Sequence, residues 1–332
     1  MSVSPKELAG VDVIKYIMAY CVVAIHFRPN YNSEWQYPEI FEWFIRLAVP
    51  FFFIASGYFV QAKIMRCQTA RKRSQYLNIR IKRLVKLWIS WILISLPMAM
   101  ASYGLLTGNG IDKIDSSAKN YMFMLVFGGW APHAAPLWFI YSMIWVTIIV
   151  KLSIRKRYSL AWLLGVFLIL TVVYWSTAHF DISAIKKFDI YTRNILGGGV
   201  YILSGMQLAR AGKANLFRWT YSVPLLLFGM ILFHFKLPFA ELIGGLALFI
   251  IALKLPILQS KFFYTLRMQS MWIYFTHEYV LFFFFIVFHV GQTSLNPYLL
   301  MLIVFATVGI LAIILNKLQV SPHFKFLNSL IS

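Results

Sequence analysis

Residues 11–27 read VDVIKYIMAYCVVAIHF, and the fold follows from where such a stretch can be buried. It is apolar over a length close to the ~17 to 25 residues that a helix needs to cross the hydrocarbon core of a bilayer. Three ionisable groups nevertheless lie in it: Asp12, Lys15 and His26. Inside a membrane such groups are costly, so they pair, face a wet cavity or do chemistry. At ~3.6 residues per turn the step from Lys15 to His26 is close to three turns, which puts both side chains on one face, roughly 16 Å apart along the axis.

Outward from this stretch the same pattern recurs. Further apolar segments fall near 46–63, 84–105, 137–153, 159–177, 191–209, 219–234, 238–254, 268–290 and 297–315. The 332 residues are 60% hydrophobic and only 13% charged, against about 25% charged in an ordinary soluble domain. No Pro/Gly/Ser-rich linker divides the chain. The reading is an all-α, polytopic transmembrane helical bundle of about ten transmembrane helices, forming a single domain over residues 1–332. The segment 119–135, with Gly128, Gly129 and Pro132, is read as re-entrant or interfacial. The N-terminal segment lacks an Ala-x-Ala-like cleavage site and is read as retained. No internal repeat supports the inverted-repeat plan of many transporters.

The formal charge is +20, but the Lys and Arg stand in short runs between apolar segments, which argues against a nucleic-acid partner. Basic loops are retained on the cytoplasmic side. With the N-terminus inside, the runs Lys63–Lys86, Lys151–Arg157, Arg210–Arg218 and Lys254–Arg267 all become cytoplasmic, with Lys317 and Lys325. Arg28, Lys113, Lys119, Lys186, Lys187 and Lys236 remain outside. Both termini are therefore expected in the cytoplasm. Cys21 and Cys67 form no disulfide or metal-ligand pattern, and no His and acidic residues recur at the HExxH spacing, so no metal is expected.

Asp12, Lys15 and His26, followed by Pro50-Phe51-Phe52-Phe53-Ile54-Ala55-Ser56-Gly57-Tyr58, resemble the membrane-bound acyltransferase type 3 family. That family carries a basic residue and a His at this separation in its first span, usually with Arg where this chain has Lys15. Arg presents a planar fork to phosphate and Lys a point charge. Arg80-Ile81-Lys82-Arg83-Leu84, Leu137-Trp138-Phe139, Arg193-Asn194 with Gly197 to Gly199, and Tyr274 with His277 follow in family-like order. The resemblance implies ten helices that take acyl-CoA, in the leading reading acetyl-CoA, from the cytoplasm. The acceptor it implies is a hydroxyl or amine outside: a surface or exported glycan, a lipid-linked sugar or a related molecule. The bacterial-type inner membrane is the implied location.

The residues support that task independently. A coenzyme A thioester carries several phosphate charges and needs a cationic mouth. Arg80 and Arg83, at the start of a span, are the chosen donor contacts within the basic run, although any positive-inside loop beside anionic lipid looks similar. Lys15, oriented by Asp12, is assigned to the donor phosphates, with snorkelling to the headgroups as its bland alternative. His26 is assigned as general base, since an unperturbed imidazole titrates at about 6.5. A covalent acyl-His26 or acyl-Ser56 is the other chemical route, whereas Ser56-Gly57 also fits close helix packing. Arg193 is a candidate for oxyanion stabilisation or a structural ion pair. His277, mid-span in MWIYFTHEYV, is a second site candidate or an interhelical hydrogen bond. Trp138 can stack on a sugar or belong to the interfacial aromatic belt. Two other functions stay open: a non-catalytic transporter or permease, and a membrane module that binds a small ligand such as an amino acid.

Overall fold

The computed structural model describes residues 5–31, 35–101, 125, 129, 136–179, 189–211, 219–287 and 295–330. Among these the regular elements are helices: α1 (Pro5–Tyr31), α2 (Glu39–Arg46), α3 (Ala48–Arg66), α4 (Ala70–Met100), α5 (Leu137–Arg155), α6 (Leu160–His179), α7 (Asp189–Ala211), α8 (Trp219–His234), α9 (Ala240–Lys254), α10 (Lys261–Phe282) and α11 (Pro297–Leu318). A π-helical turn, Phe283–Val287, continues α10, and a 3-10 segment, Pro322–Leu330, follows α11. Each of the ten apolar stretches read from the sequence holds a helix. Among the described residues six segments are long and apolar enough to cross a membrane, beginning with Ala9–Arg28 and ending with Pro297–Leu318; Leu160–Tyr174 and Thr220–His234 are shorter apolar helices. The segment read as re-entrant, 119–135, lies outside the described residues except for Leu125 and Gly129.

Two boundaries differ from the sequence reading in an instructive way. The third span, expected from 84, belongs to a helix that begins at Ala70. Its first half is rich in Lys and Arg, which are good helix formers, so the basic run continues the helix past the apolar part. Similarly, α10 begins at Lys261 and not at 268, and Arg267, read as part of a cytoplasmic connection, lies within it. Local chemistry fixes other ends. Asn296 caps α11, its side-chain oxygen accepting from the backbone N–H of Tyr298 at 2.9 Å and of Leu299 at 3.3 Å, with Pro297 in the first helical position.

The chain divides into two compact units. Unit 1 comprises 1–11, 49–86 and 138–257; unit 2 comprises 12–48, 87–137 and 258–332. In unit 1, α8 packs on α9 and α6 on α7. The helices α3 and α7 meet backbone to backbone. A Cβ on Gly57 would collide with the carbonyl of Ile202, and a Cβ on Gly205 would collide with the carbonyl of Ile54. The pair is reciprocal, so the packing role read for Ser56-Gly57 is what glycine performs here. Phe51, Phe53, Ile54 and Phe249 are fully buried around it.

In unit 2, α10 packs on α11. Trp91 stacks on Phe275 at 4.6 Å with an interplanar angle of 6°, and its indole N–H donates to the carbonyl of Leu330 at 2.7 Å. Tyr37, buried beyond the end of α1, donates to the carbonyl of Ala24 at 2.9 Å. Burial pushes its phenol well above the usual range, so it stays a neutral donor that ties the returning chain to α1.

Candidate active site

The site is built on α1 and α10. His26 Nδ1 lies 3.1 Å from Glu278 Oε1, and His277 Nε2 lies 3.9 Å from the same oxygen. The two imidazole rings are 5.2 Å apart. His277 is fully buried, Glu278 is 10% exposed at its side chain, and His26 is 24% exposed. His26 therefore presents the open edge of a cluster whose other members are enclosed.

Hydrogen bonding assigns the faces of both rings. With Nδ1–H of His26 donating to the Glu278 carboxylate, its Nε2 carries the lone pair of the ring. His277 Nδ1 sits 3.2 Å from the carbonyl of Ile273, one turn back along α10, which requires Nδ1–H to donate. Its Nε2 has no hydrogen-bond partner among the described residues. A buried acceptor without a donor is costly, and it faces the same space as the carboxylate. The ligand atoms of His26, His277 and Glu278 all fall within 4.8 Å of one another. Such a set is able to hold a metal ion or a substrate hydroxyl or ammonium group. The cluster draws its ligand atoms from two helices, so the HExxH spacing of a single helix does not reveal it.

Toward the N-terminal end of the same helices lies a second charged contact. Asp12, 1% exposed, accepts from Arg267 Nε at 2.8 Å and from Nη2 at 2.7 Å, a two-point carboxylate–guanidinium pair. Arg267 is thus a partner of Asp12 in addition to Lys15, the one expected from the sequence. Lys15 remains near enough for its charge to interact with both Asp12 and Arg267. The Asp12–Arg267 and His26–Glu278 contacts come in the same order along both helices, so α1 and α10 run parallel. Beyond α1, Glu42 receives Arg28 at 3.4 Å and Arg46 at 2.8 Å.

A profile of the acyltransferase domain matches residues 8–316, which takes in both helices and nearly the whole chain. The chain belongs to the acyltransferase 3 family. Two curated relatives are similar over parts of their length. The amino-acid racemase of Enterococcus faecalis is 25% identical over 251 residues, 70% of this chain and 33% of the relative. The serine/alanine racemase of Enterococcus gallinarum is 36% identical over 97 residues, 28% of this chain and 13% of the relative. The chain thus spans a third or less of the curated relatives it matches. No solved structure gives a significant match.

The remaining candidates of this acyltransferase-family chain lie in unit 1. Arg80 Nη2 donates to Ser56 Oγ at 2.8 Å, and Ser56 Oγ in turn donates to Met143 Sδ at 3.2 Å. The Arg80 Nε is buried with no hydrogen-bond partner. Ser56 is thus occupied as an acceptor for a guanidinium. Arg83 is exposed one turn further on. Trp138 packs on Phe53, with ring centroids 5.4 Å apart. Arg193 lies in α7, but its side chain falls outside the described residues.

Two functional residues lacked an assignment from sequence. Glu278 was visible as a mid-span acid next to His277, yet only the fold brings it to His26. Arg267 looked like a loop cation because the window that defines a span begins after it.

Proposed function

We propose that this protein transfers an acyl group, acetyl in the simplest case, from a coenzyme A thioester to a hydroxyl or amine acceptor at the extracytoplasmic face of a bacterial-type inner membrane. The observation that carries the reading is the 3.1 Å contact between His26 and Glu278 on parallel helices. A carboxylate that fixes the imidazole tautomer leaves Nε2 of His26 as a base at the accessible edge of the cluster. His26 Nε2 takes the proton of the acceptor O–H or N–H as that atom attacks the thioester carbonyl. The C–S bond breaks, coenzyme A leaves as its thiolate, and the imidazolium returns the proton to it. Glu278 orients His26 and steadies the positive ring. His277, with Nε2 as acceptor, positions the incoming hydroxyl or ammonium group. Lys15 serves the donor phosphates from the end assigned to the cytoplasm, and a surface glycan or lipid-linked sugar is the acceptor class this reading favours.

A second reading is favoured by the names of the relatives: a small amino acid is bound or carried without acyl transfer. Thioester turnover separates the two. The purified protein in nanodiscs should bind acetyl-CoA saturably and release coenzyme A slowly without an acceptor. Release should fall by about 10²–10⁴-fold in His26→Ala, the usual worth of general-base catalysis. Absence of acetyl-CoA binding by folded protein, together with saturable binding of serine or alanine, would put the second reading first.

A further inference from the structure

Unit 1 contains a cavity of about 290 Å³ at the ends of α3, α5 and α7 and the start of α4 and α6. Its polar lining is Gln61, Arg73, Ser153 and Arg210. The wall between them is apolar and buried, formed by Ile64, Val150, Leu163 and Met206. Arg73 is held in place by a hydrogen bond from Nε to the carbonyl of Cys67 at 3.1 Å, which leaves its terminal N–H groups for another partner. Among the described residues no carboxylate pairs with Arg73 or Arg210. The one acidic side chain described in unit 1, Glu241, accepts a hydrogen bond from Tyr201 at 3.3 Å. The described lining of the cavity carries two arginines and no carboxylate.

The turn beside it is built at a cost. After α5 the backbone of Arg157 takes the left-handed conformation, φ 62°, a position where glycine is the ordinary choice. The N–H of Tyr158 bonds the carbonyl of Ser153 at 3.0 Å, and that of Arg157 bonds the carbonyl of Ile154 at 3.3 Å. This double closure folds Tyr158 onto the rim, where it stacks on Trp162 with ring centroids 5.0 Å apart. Paired exposed aromatics of this kind sit at the headgroup level of a membrane.

We propose that this cavity binds the phosphate of an amphiphile, with the head group of an acidic phospholipid as its occupant. Two guanidinium groups offer forked donors to phosphate oxygens. Gln61 adds a neutral donor, the Ser153 hydroxyl being given to the carbonyl of Tyr158 at 3.4 Å, and the apolar wall takes the adjoining hydrocarbon. The volume lies at the low end of small-molecule sites, which run from about 300 Å³. It suits a phosphate with its glycerol better than a whole nucleotide coenzyme. The site shares no residue with the His26 cluster, and its occupancy does not depend on acyl transfer.

Native mass spectrometry of the full chain, titrated with phosphatidylglycerol and separately with phosphatidylcholine, gives the test. A third arm uses adenosine 3′,5′-bisphosphate as a soluble phosphate probe. Phosphatidylglycerol should bind in preference to phosphatidylcholine, and Arg73→Gln/Arg210→Gln should weaken it about ten- to a hundredfold, the worth of charge-assisted hydrogen bonds. Arg210→Gln alone, at an exposed position that folding tolerates, should show part of the loss, and Arg210→Lys should recover some of it. If the arginine variants weaken only the bisphosphate, the phosphate chemistry stands and its source is a nucleotide. Affinity for both probes unchanged in folded Arg210→Gln and in the double variant would overturn the proposal.

Discussion

Among the described residues, Asp12 and Glu42 of unit 2 are met by arginines, whereas Arg73 and Arg80 of unit 1 are hydrogen-bonded to neutral groups. Asp12 is held at two points by Arg267, Glu278 receives His26, and Glu42 receives both Arg28 and Arg46. In unit 1 Arg80 finds a hydroxyl and a thioether, Arg73 a backbone carbonyl, and Arg210 lines an open cavity. Desolvating an ion pair is tolerable when its geometry is good, while an isolated buried cation needs an anion from elsewhere. The difference teaches a division of labour. The proposed function places proton transfer in unit 2, and the proposed lipid site places anion binding in unit 1. Its close α3–α7 contact at Gly57 and Gly205 provides a stiff frame without using charge at all.

The contrast can be broken or sharpened by substitution. Glu278→Gln should keep a hydrogen bond to His26 but lose the charge that steadies the imidazolium. Coenzyme A release is expected to fall about 10- to 100-fold, less than the 10²–10⁴-fold loss for His26→Ala; equal losses would make Glu278 more than an orienting group. Asp12→Ala strands Arg267, and a cost of about 3 kcal/mol in denaturant or thermal unfolding is expected, the low end for a broken buried pair because Arg267 is 31% exposed. Asp12→Leu with Arg267→Met should recover most of that stability. Gly57→Leu should cost roughly 1–3 kcal/mol or prevent assembly of α3 on α7, read as lost monodisperse protein in detergent. Arg157→Gly should raise the unfolding midpoint by a gain of about 0.5–1 kcal/mol, since glycine takes the left-handed position without penalty.

Much of this arrangement could be read from the chain. The apolar lengths announce the helices, and the spacing of Lys15 and His26 announces a polar face on the first of them. What could not be read is long-range. Asp12 meets Arg267 and His26 meets Glu278 across more than 250 positions, and no local pattern encodes which acid finds which base. Arg267 was misplaced because hydropathy marks where a helix is greasy, not where it starts. The same reason hid the basic first half of α4. Lys15 has Asp12 as its nearest acid in sequence, and nothing local announces that the forked guanidinium of Arg267 also reaches that carboxylate.

The parallel pairing of α1 with α10 has a consequence for how this chain tolerates change. Its two contacts act as rungs that fix both the height and the rotation of one helix against the other. Deleting or inserting one residue between Asp12 and His26 turns the outer half of α1 by about 100° and swings His26 away from Glu278, although every other residue is retained. Replacing apolar residues between the rungs changes neither height nor rotation. The stretch should therefore accept apolar exchanges of similar volume at its buried positions Met18, Ala19, Val23 and Ala24 while remaining intolerant of any change in length.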